Sequence, residues 1–344
     1  MAEGEAPAPA PPAPERPRRV AVTGAAGFIG HHLERHLRRL GCWVRGVDLL
    51  DPQYAPSAAH EHRIADLRHP DRALAALEGV DEVYALAADM GGMGYISRFH
   101  ARILHDNLLI DAHTLEAARR QGVRRLLYAS SACVYPEGRQ AEEEAPPLTE
   151  DEAYPAQPQD AYGWAKLTGE RLCLHYRLDH GLETRVARLH NVYGPEGAWD
   201  GGREKAPAAL CRKVALARLR GEEEIEVWGD GRQVRTFCYI DDCVEGLHRL
   251  MRSPCAEPVN LGSTRRVAID ELARLVAGVA GVSIRLRHAP GPQGVRARSP
   301  DNTRLREVLG WEPSTPLETG LATTYRWVEE QVRRRESASA AAAP

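Results

Sequence analysis

The chain has 344 residues, 43% hydrophobic and 27% charged, with a formal net charge of −3. That is enough apolar material for one large α/β unit or two fused lobes, and the charge balance leaves no footprint for a nucleic-acid partner. Seven cysteines with no C-x-x-C pair suit a reducing, cytoplasmic setting and suggest neither a disulfide framework nor a metal centre, and no apolar run reaches membrane-spanning length.

Residues 1–17 are rich in Ala, Pro and Glu and read as a disordered tail, as do the Ala/Ser-rich residues 336–344. Between them the elements alternate. A β-branched run over 18–22 ends at Thr23, Gly24-Ala-Ala-Gly27-Phe28-Ile29-Gly30 follows, and Leu33, Leu37 and Leu40 space a helix over 31–40. A second strand over 42–47 closes on Asp48, and a short third strand carrying Ile64 ends at Asp66. Helices are predicted over 71–77, over 107–121 with Gly122 as its stop, and over 160–178 with Asp160 as N-cap. Buried strands are predicted over 82–87, 125–130 and 184–189, and the acidic, Pro-rich stretch 138–158 reads as a surface loop. The fold class is therefore α/β: a Rossmann-type, doubly wound parallel sheet over residues 18–194, with ligands expected at the carboxyl ends of its strands. Beyond Gly194, Pro and Gly become frequent and strands over 224–228 and 284–288 separate helices. This predicts a smaller C-terminal lobe over 195–335, part of which, within 235–262, folds back on the first domain.

Gly24, Gly27 and Gly30 stand between a strand and a helix, where glycine lets the backbone approach a pyrophosphate and the helix N-terminus supplies N–H donors. Phe28 and Ile29 begin that helix. The Asp48 carboxylate suits two ribose hydroxyls and repels a 2′-phosphate, which predicts NAD as cofactor; Arg45, three residues earlier, is expected to point elsewhere. Asp66 and Leu67 are placed to meet the adenine.

Tyr162-Gly-Trp-Ala-Lys166 puts a phenol and an ammonium on one helix face. A lysine there favours the phenolate and lowers its pKa, so Tyr162 can take a proton while hydride leaves a substrate carbon, and Lys166 can also hold a nicotinamide ribose. Ser130-Ser131 lies at a strand end nearby.

The glycine motif, Ser130-Ser131 and Tyr162-x-x-x-Lys166 together resemble the extended short-chain dehydrogenase/reductase family. That resemblance implies a held NAD that transiently oxidises a nucleotide sugar. A narrower resemblance, to the GDP-mannose 3,5-epimerases, is carried by Ala87-Ala-Asp-Met-Gly-Gly-Met-Gly94, Ser130-Ser-Ala-Cys-Val-Tyr-Pro-Glu137, His190-Asn-Val-Tyr-Gly-Pro195, Gly201-Gly-Arg-Glu-Lys-Ala-Pro207 and Gly291-Pro-Gln-Gly-Val-Arg296. It implies that Cys133 and Lys205 form an acid/base pair. It implies a GDP-sugar substrate met by Gly91, Met93, Ser131, Asn191, Lys205, Lys213, Arg235 and Arg296. It also implies a homodimer, joined through the helices over 107–121 and 160–178. The products would be GDP-L-galactose, GDP-L-gulose or both. The same fold also serves 4-epimerases and 4,6-dehydratases, but a dehydratase would carry an Asp-Glu pair where Ala132-Cys133 stands. A non-catalytic NAD-binding scaffold or redox sensor is the reading from another class, and Tyr162, Lys166 and Cys133 argue against it.

Overall fold

The computed structural model describes residues 17–291 and 294–341. A parallel sheet forms from β1 (Arg19–Thr23), β2 (Trp43–Asp48), β3 (Glu61–Ile64), β4 (Glu82–Ala85), β5 (Arg125–Ser131), β6 (Glu183–Leu189) and a seventh strand, Pro258–Leu261. Its spatial order is Pro258–Leu261, β6, β5, β4, β1, β2, β3. The strand order therefore reverses at β1, and the crevice at the strands' carboxyl ends opens there. Both sheet faces are covered, so the central strands are nearly continuous apolar runs, as in the VAV of β1 and the LLYA of β5.

On one face lie α1 (Phe28–Arg39), which packs Leu33 and Leu37 onto Val20 and Val44, and a helix from the C-terminal half described below. The other face carries α2 (Pro70–Ala76), α4 (His100–Arg120) and α5 (Ala161–His180), with the short α3 (Met93–Ile96) preceding α4. The predicted cap and stop are present. Asp160 accepts the Gly163 N–H at 2.8 Å to open α5, and Gly122 follows α4 with φ +67°.

In the second half come α6 (Ala206–Arg220), α7 (Ile240–Arg252), α8 (Ile269–Ala280), α9 (Thr303–Leu309) and α10 (Leu317–Ala341). Helices α6, α8 and α10 share a separate core around Leu210, Val214, Leu272, Val276 and Leu321. By contrast, α7 and the Pro258–Leu261 strand pack with the parallel sheet: Val244, Leu247 and Leu250 enter the α1 core, and Val259 and Leu261 extend the sheet beside β6.

Three expectations need correction. The stretch 138–158 is docked, with Gln140, Leu148 and Glu150 buried, because the 296–301 segment and Asn260 satisfy its backbone and side chains. Helix α4 begins at His100, and Asn107 lies inside it, with its amide bonded to Asp89 and to the Ile103 carbonyl. Helix α10 continues past Arg335 to Ala341. Alanine is the strongest helix former, and Glu329–Arg333 and Glu330–Arg334 pair at i,i+4 along it.

A fully buried ion pair locks α5 to the sheet. Arg188 at the end of β6 donates to both carboxylate oxygens of Glu170 on α5, at 2.8 and 2.7 Å, and Ser130 Oγ donates to the same carboxylate at 2.5 Å. Removing one partner of such a pair strands the other charge without solvent. Arg188→Ala is therefore expected to destabilise the fold by about 3–5 kcal/mol, measured from the denaturant midpoint; a loss under about 1 kcal/mol would contradict this account.

Candidate active site

The glycine-rich turn is built for close approach. Gly24 has φ +70°, and a Cβ on Gly30 would lie 2.1 Å from the Gly24 carbonyl oxygen. Helix α1 starts at Phe28 and Ile29 with no side-chain cap and no acidic residue in its first turn, leaving its N-terminal N–H groups to an anion. Asp48 Oδ2 accepts the Ala26 N–H at 3.0 Å, and Oδ1 accepts that of Leu49 at 2.6 Å. The acid thus braces the turn it faces. Arg45 points away, to Glu61 and the Ala76 and Glu78 carbonyls. Asp66 is paired with Arg68, whose hydrogen bond holds the carboxyl down at about 2, and Leu67 is buried in the core. The tight glycine turn, the uncapped helix start and Asp48 together fit a dinucleotide.

At the carboxyl end of β5, Ser131 caps a 3-10 turn over Ala132–Val134 by accepting the Cys133 N–H at 3.1 Å. Helix α5 passes close above it: a Cβ on Gly163 would stand 2.2 Å from the Cys133 carbonyl oxygen. Only glycine lets Tyr162 and Cys133 share the small apolar cluster they form with Ile96, Ile103 and Met90.

Tyr162 and Lys166 are both buried, and the Lys166 ammonium lies 5.8 Å from the Tyr162 ring centroid and 4.6 Å from that of Tyr128. Tyr128 in turn donates to Asp111 at 2.6 Å. The expected lowering of the Tyr162 phenol by Lys166 is not found. Burial pushes the phenol up, reinforced by Cys133, Asp111 and Asp160. Burial also pulls the Lys166 ammonium down, against Asp111. Desolvation outweighs the pairing because both groups have left water.

Basic groups converge on Cys133 from the other lobe. Arg298 Nη1 lies 3.3 Å from its Sγ. Arg235 donates to the Val295 carbonyl at 2.6 Å, and burial pulls its guanidinium down to about 9, helped by Arg298 and opposed by Cys133. Lys205, at the start of α6, is pulled down by burial and raised by Cys133. Among the described residues neither Arg235 nor Arg298 has a carboxylate partner. The loop leading to Lys205 is joined to the Met-Gly-Gly-Met loop: Gly92 N–H donates to the Arg203 carbonyl at 3.1 Å, and Arg203 Nη1 to that of Met90 at 3.1 Å. Gly91 is buried against Tyr95; Met93 begins α3, and its side chain lies outside the described residues. Asn191, two residues past the end of β6 and with φ +24°, donates to the Thr236 carbonyl.

Two predicted substrate residues stand differently. Arg296 is paired with Asp230 and Glu143, and Arg298, two residues on, faces the thiol. Lys213 donates to the Glu226 carbonyl at 2.7 Å beside the Trp228 ring, in the second lobe. Sequence reasoning missed Arg298, Arg203, Asp111 and Tyr128. The V-R-A-R pattern ranks neither arginine first, and Asp111 looks like any polar residue of an amphipathic helix.

A glycine turn, an acid closing β2 and a Tyr/Lys helix over a parallel sheet define a dinucleotide-dependent enzyme of the Rossmann class. A model of the NAD dependent epimerase/dehydratase family matches residues 20–262, and the chain belongs to that family, with NAD as its cofactor. Within it, the chain is 47% identical over 326 residues to GDP-mannose 3,5-epimerase 1 of Oryza sativa subsp. japonica, covering 94% of this chain and 85% of that one. Among solved structures it resembles UDP-glucose 4-epimerase of Thermotoga maritima with UDP-glucose (27% identity, TM-score 0.82, 91% and 99% of the two chains). It also resembles the Thermus thermophilus UDP-glucose 4-epimerase in complex with NAD (25% identity, TM-score 0.78, 90% and 98%).

Proposed function

We propose that this enzyme epimerises GDP-D-mannose at C5 and C3 through a 4-keto sugar, giving GDP-L-galactose and GDP-L-gulose. The observation that carries the reading is the meeting of a thiol and two classes of basic group. Cys133 packs with Tyr162, lies 3.3 Å from Arg298 and is coupled electrostatically to Lys205. A simple 4-epimerase has no use for a Cys/Lys pair, whereas inverting a carbon beside a ketone needs a base on one face and an acid on the other.

The cofactor, when bound, supplies a hydride acceptor next to the sugar. Tyr162, as a phenolate steadied by Lys166, takes the C4 hydroxyl proton as the C4–H bond breaks. The C4 ketone makes C5–H and C3–H acidic, because each carbanion is an enolate. Cys133, as thiolate beside Arg298, removes the proton, and Lys205 delivers one to the opposite face. Tyr162 then returns its proton as the C4–H bond is remade, so there is no net redox change. Arg235 and Arg298, without carboxylate partners among the described residues, suit the diphosphate.

NMR of the protein with GDP-mannose in D₂O tests this. Deuterium is expected at C5 and C3 of the products. Cys133→Ala should slow exchange by about 10³-fold while NAD binding is kept. Label at C5 alone would reduce the enzyme to a 5-epimerase, and no label even with added NAD would overturn the substrate assignment.

The Lys205 ammonium must be protonated to act as an acid, and burial lowers its pKa. The alkaline limb of kcat is therefore expected below the usual lysine value of about 10.4. A limb that stays at the ordinary lysine value in a pH–rate profile would remove Lys205 from this role.

A homodimer is also part of the proposal. Leu104 and Leu108 on α4 and Leu174 on α5 are only half-buried in one chain, and Leu178 on α5 is 66% exposed. Light scattering should give twice the 37.9 kDa chain mass, and Leu108→Glu should halve it. The unpaired thiols suit a reducing cytoplasm.

A further inference from the structure

On the face of the sheet away from α5, α1 carries His36 and α7 brings Glu245 and His248 across from it. The Glu245-x-x-His248 spacing puts two ligand types one helical turn apart on a single face. One ligand atom from each of the three residues lies within 4.8 Å of the other two, and all three side chains keep partial access to solvent. His36 Nε2 is 3.6 Å from Glu245 Oε2. That is close to the spacing of about 3.3–3.4 Å between neighbouring ligands on a tetrahedral zinc with bonds of about 2.0–2.1 Å. The two imidazole rings have centroids 5.5 Å apart. His36 Nε2 is a buried polar atom with no hydrogen-bond partner among the described residues. Arg249 Nε occupies the other oxygen of Glu245 at 2.5 Å, the outer-shell hold that orients a ligating carboxylate.

We propose that His36, Glu245 and His248 bind one divalent transition-metal ion of the zinc or cobalt class, with water completing the coordination. Ligation takes the neutral imidazole, the form that burial favours at both histidines. Burial lowers each, His248 to about 4, although Glu245 and Asp241 oppose this at His36. The ion clamps α1, the helix that opens on the glycine turn, to α7, the helix that returns from the second half. It lies apart from Cys133 and Tyr162, so the site is structural in effect and independent of the proposed chemistry.

The test uses the full chain, without a polyhistidine tag and stripped by chelator. Co²⁺ titration is expected to give one equivalent of bound ion with the visible absorption of a nitrogen/oxygen tetrahedral site. Zn²⁺ at a hundredfold excess over its Kd is expected to raise Tm by about 4 °C. His248→Ala and the isosteric Glu245→Gln should each weaken Co²⁺ binding at least tenfold while NAD binding is unchanged. No cobalt band and no Tm shift in the unaltered chain would overturn the proposal. So would a band that survives in both variants, above all one with thiolate charge-transfer character, which would place the ion on a cysteine.

Discussion

The site depends on the buried charge pair between Arg188 and Glu170. Tyr162, Lys166 and Glu170 follow one another at four-residue intervals on α5, so they share a helix face. Fixing Glu170 against Arg188 and Ser130 therefore fixes the rotation of the whole helix over β5 and β6. Two glycines complete the fit, since a Cβ on Gly163 or Gly169 would collide with the Cys133 carbonyl or the Tyr128 hydroxyl, each near 2.2 Å or less. Buried pairs of this kind contribute little net stability compared with apolar packing. What this one supplies is orientation: an apolar replacement would fill the space without dictating which face of α5 turns toward β5 and Cys133.

Around that frame the charges fall into two sets that do not mix. Lys166 sits within a small network of Tyr128 and Asp111, where its counter-charge is already provided. Lys205, Arg235 and Arg298 lie around Cys133; Arg298 adds to the burial that pulls Arg235 down, and neither arginine has a carboxylate partner among the described residues. In a medium of low effective dielectric, uncompensated cations are costly until an anion arrives. A thiolate and a diphosphate are the two anions that such a cluster relieves, and both belong to the proposed reaction.

The sheet and its helices were largely legible in the sequence because they rest on periodicity, and periodicity is local. β1, the glycine turn, α1, β2 and Asp48 follow from residues within thirty positions of one another. The Asp160 cap and the Gly122 stop are local as well. What was not legible depends on distant partners. The 138–158 stretch looks like a solvated loop until Gln140 is seen receiving the backbone of Arg296 and Ala297. Arg296 and Arg298 are equivalent on paper, and only the presence of Asp230 and Glu143 beside the first turns it away from the thiol. The direction of the Tyr162 shift also failed, because a lysine four residues away is visible in sequence and the depth of burial is not.

The proposed chemistry is divided between the two halves of the molecule, and their registration then becomes part of the mechanism. Tyr162, Lys166 and Cys133 stand on the sheet domain, while Lys205, Arg235 and Arg298 come from beyond Gly194. A proton-transfer pair on opposite faces of a sugar works only if the halves hold their spacing, since a misplacement of about 1 Å can cost about 10² in rate. Gln140 supplies much of that hold. Its side-chain amide donates to the Tyr135 and Pro136 carbonyls in the sheet domain, and its own carbonyl accepts the Arg296 and Ala297 N–H groups. Its side-chain oxygen meets Arg298 Nε, whose other end faces Cys133. A buried, uncharged glutamine thus joins the turn after Cys133 to the segment that carries Arg298, without adding a further charge beside the cationic groups.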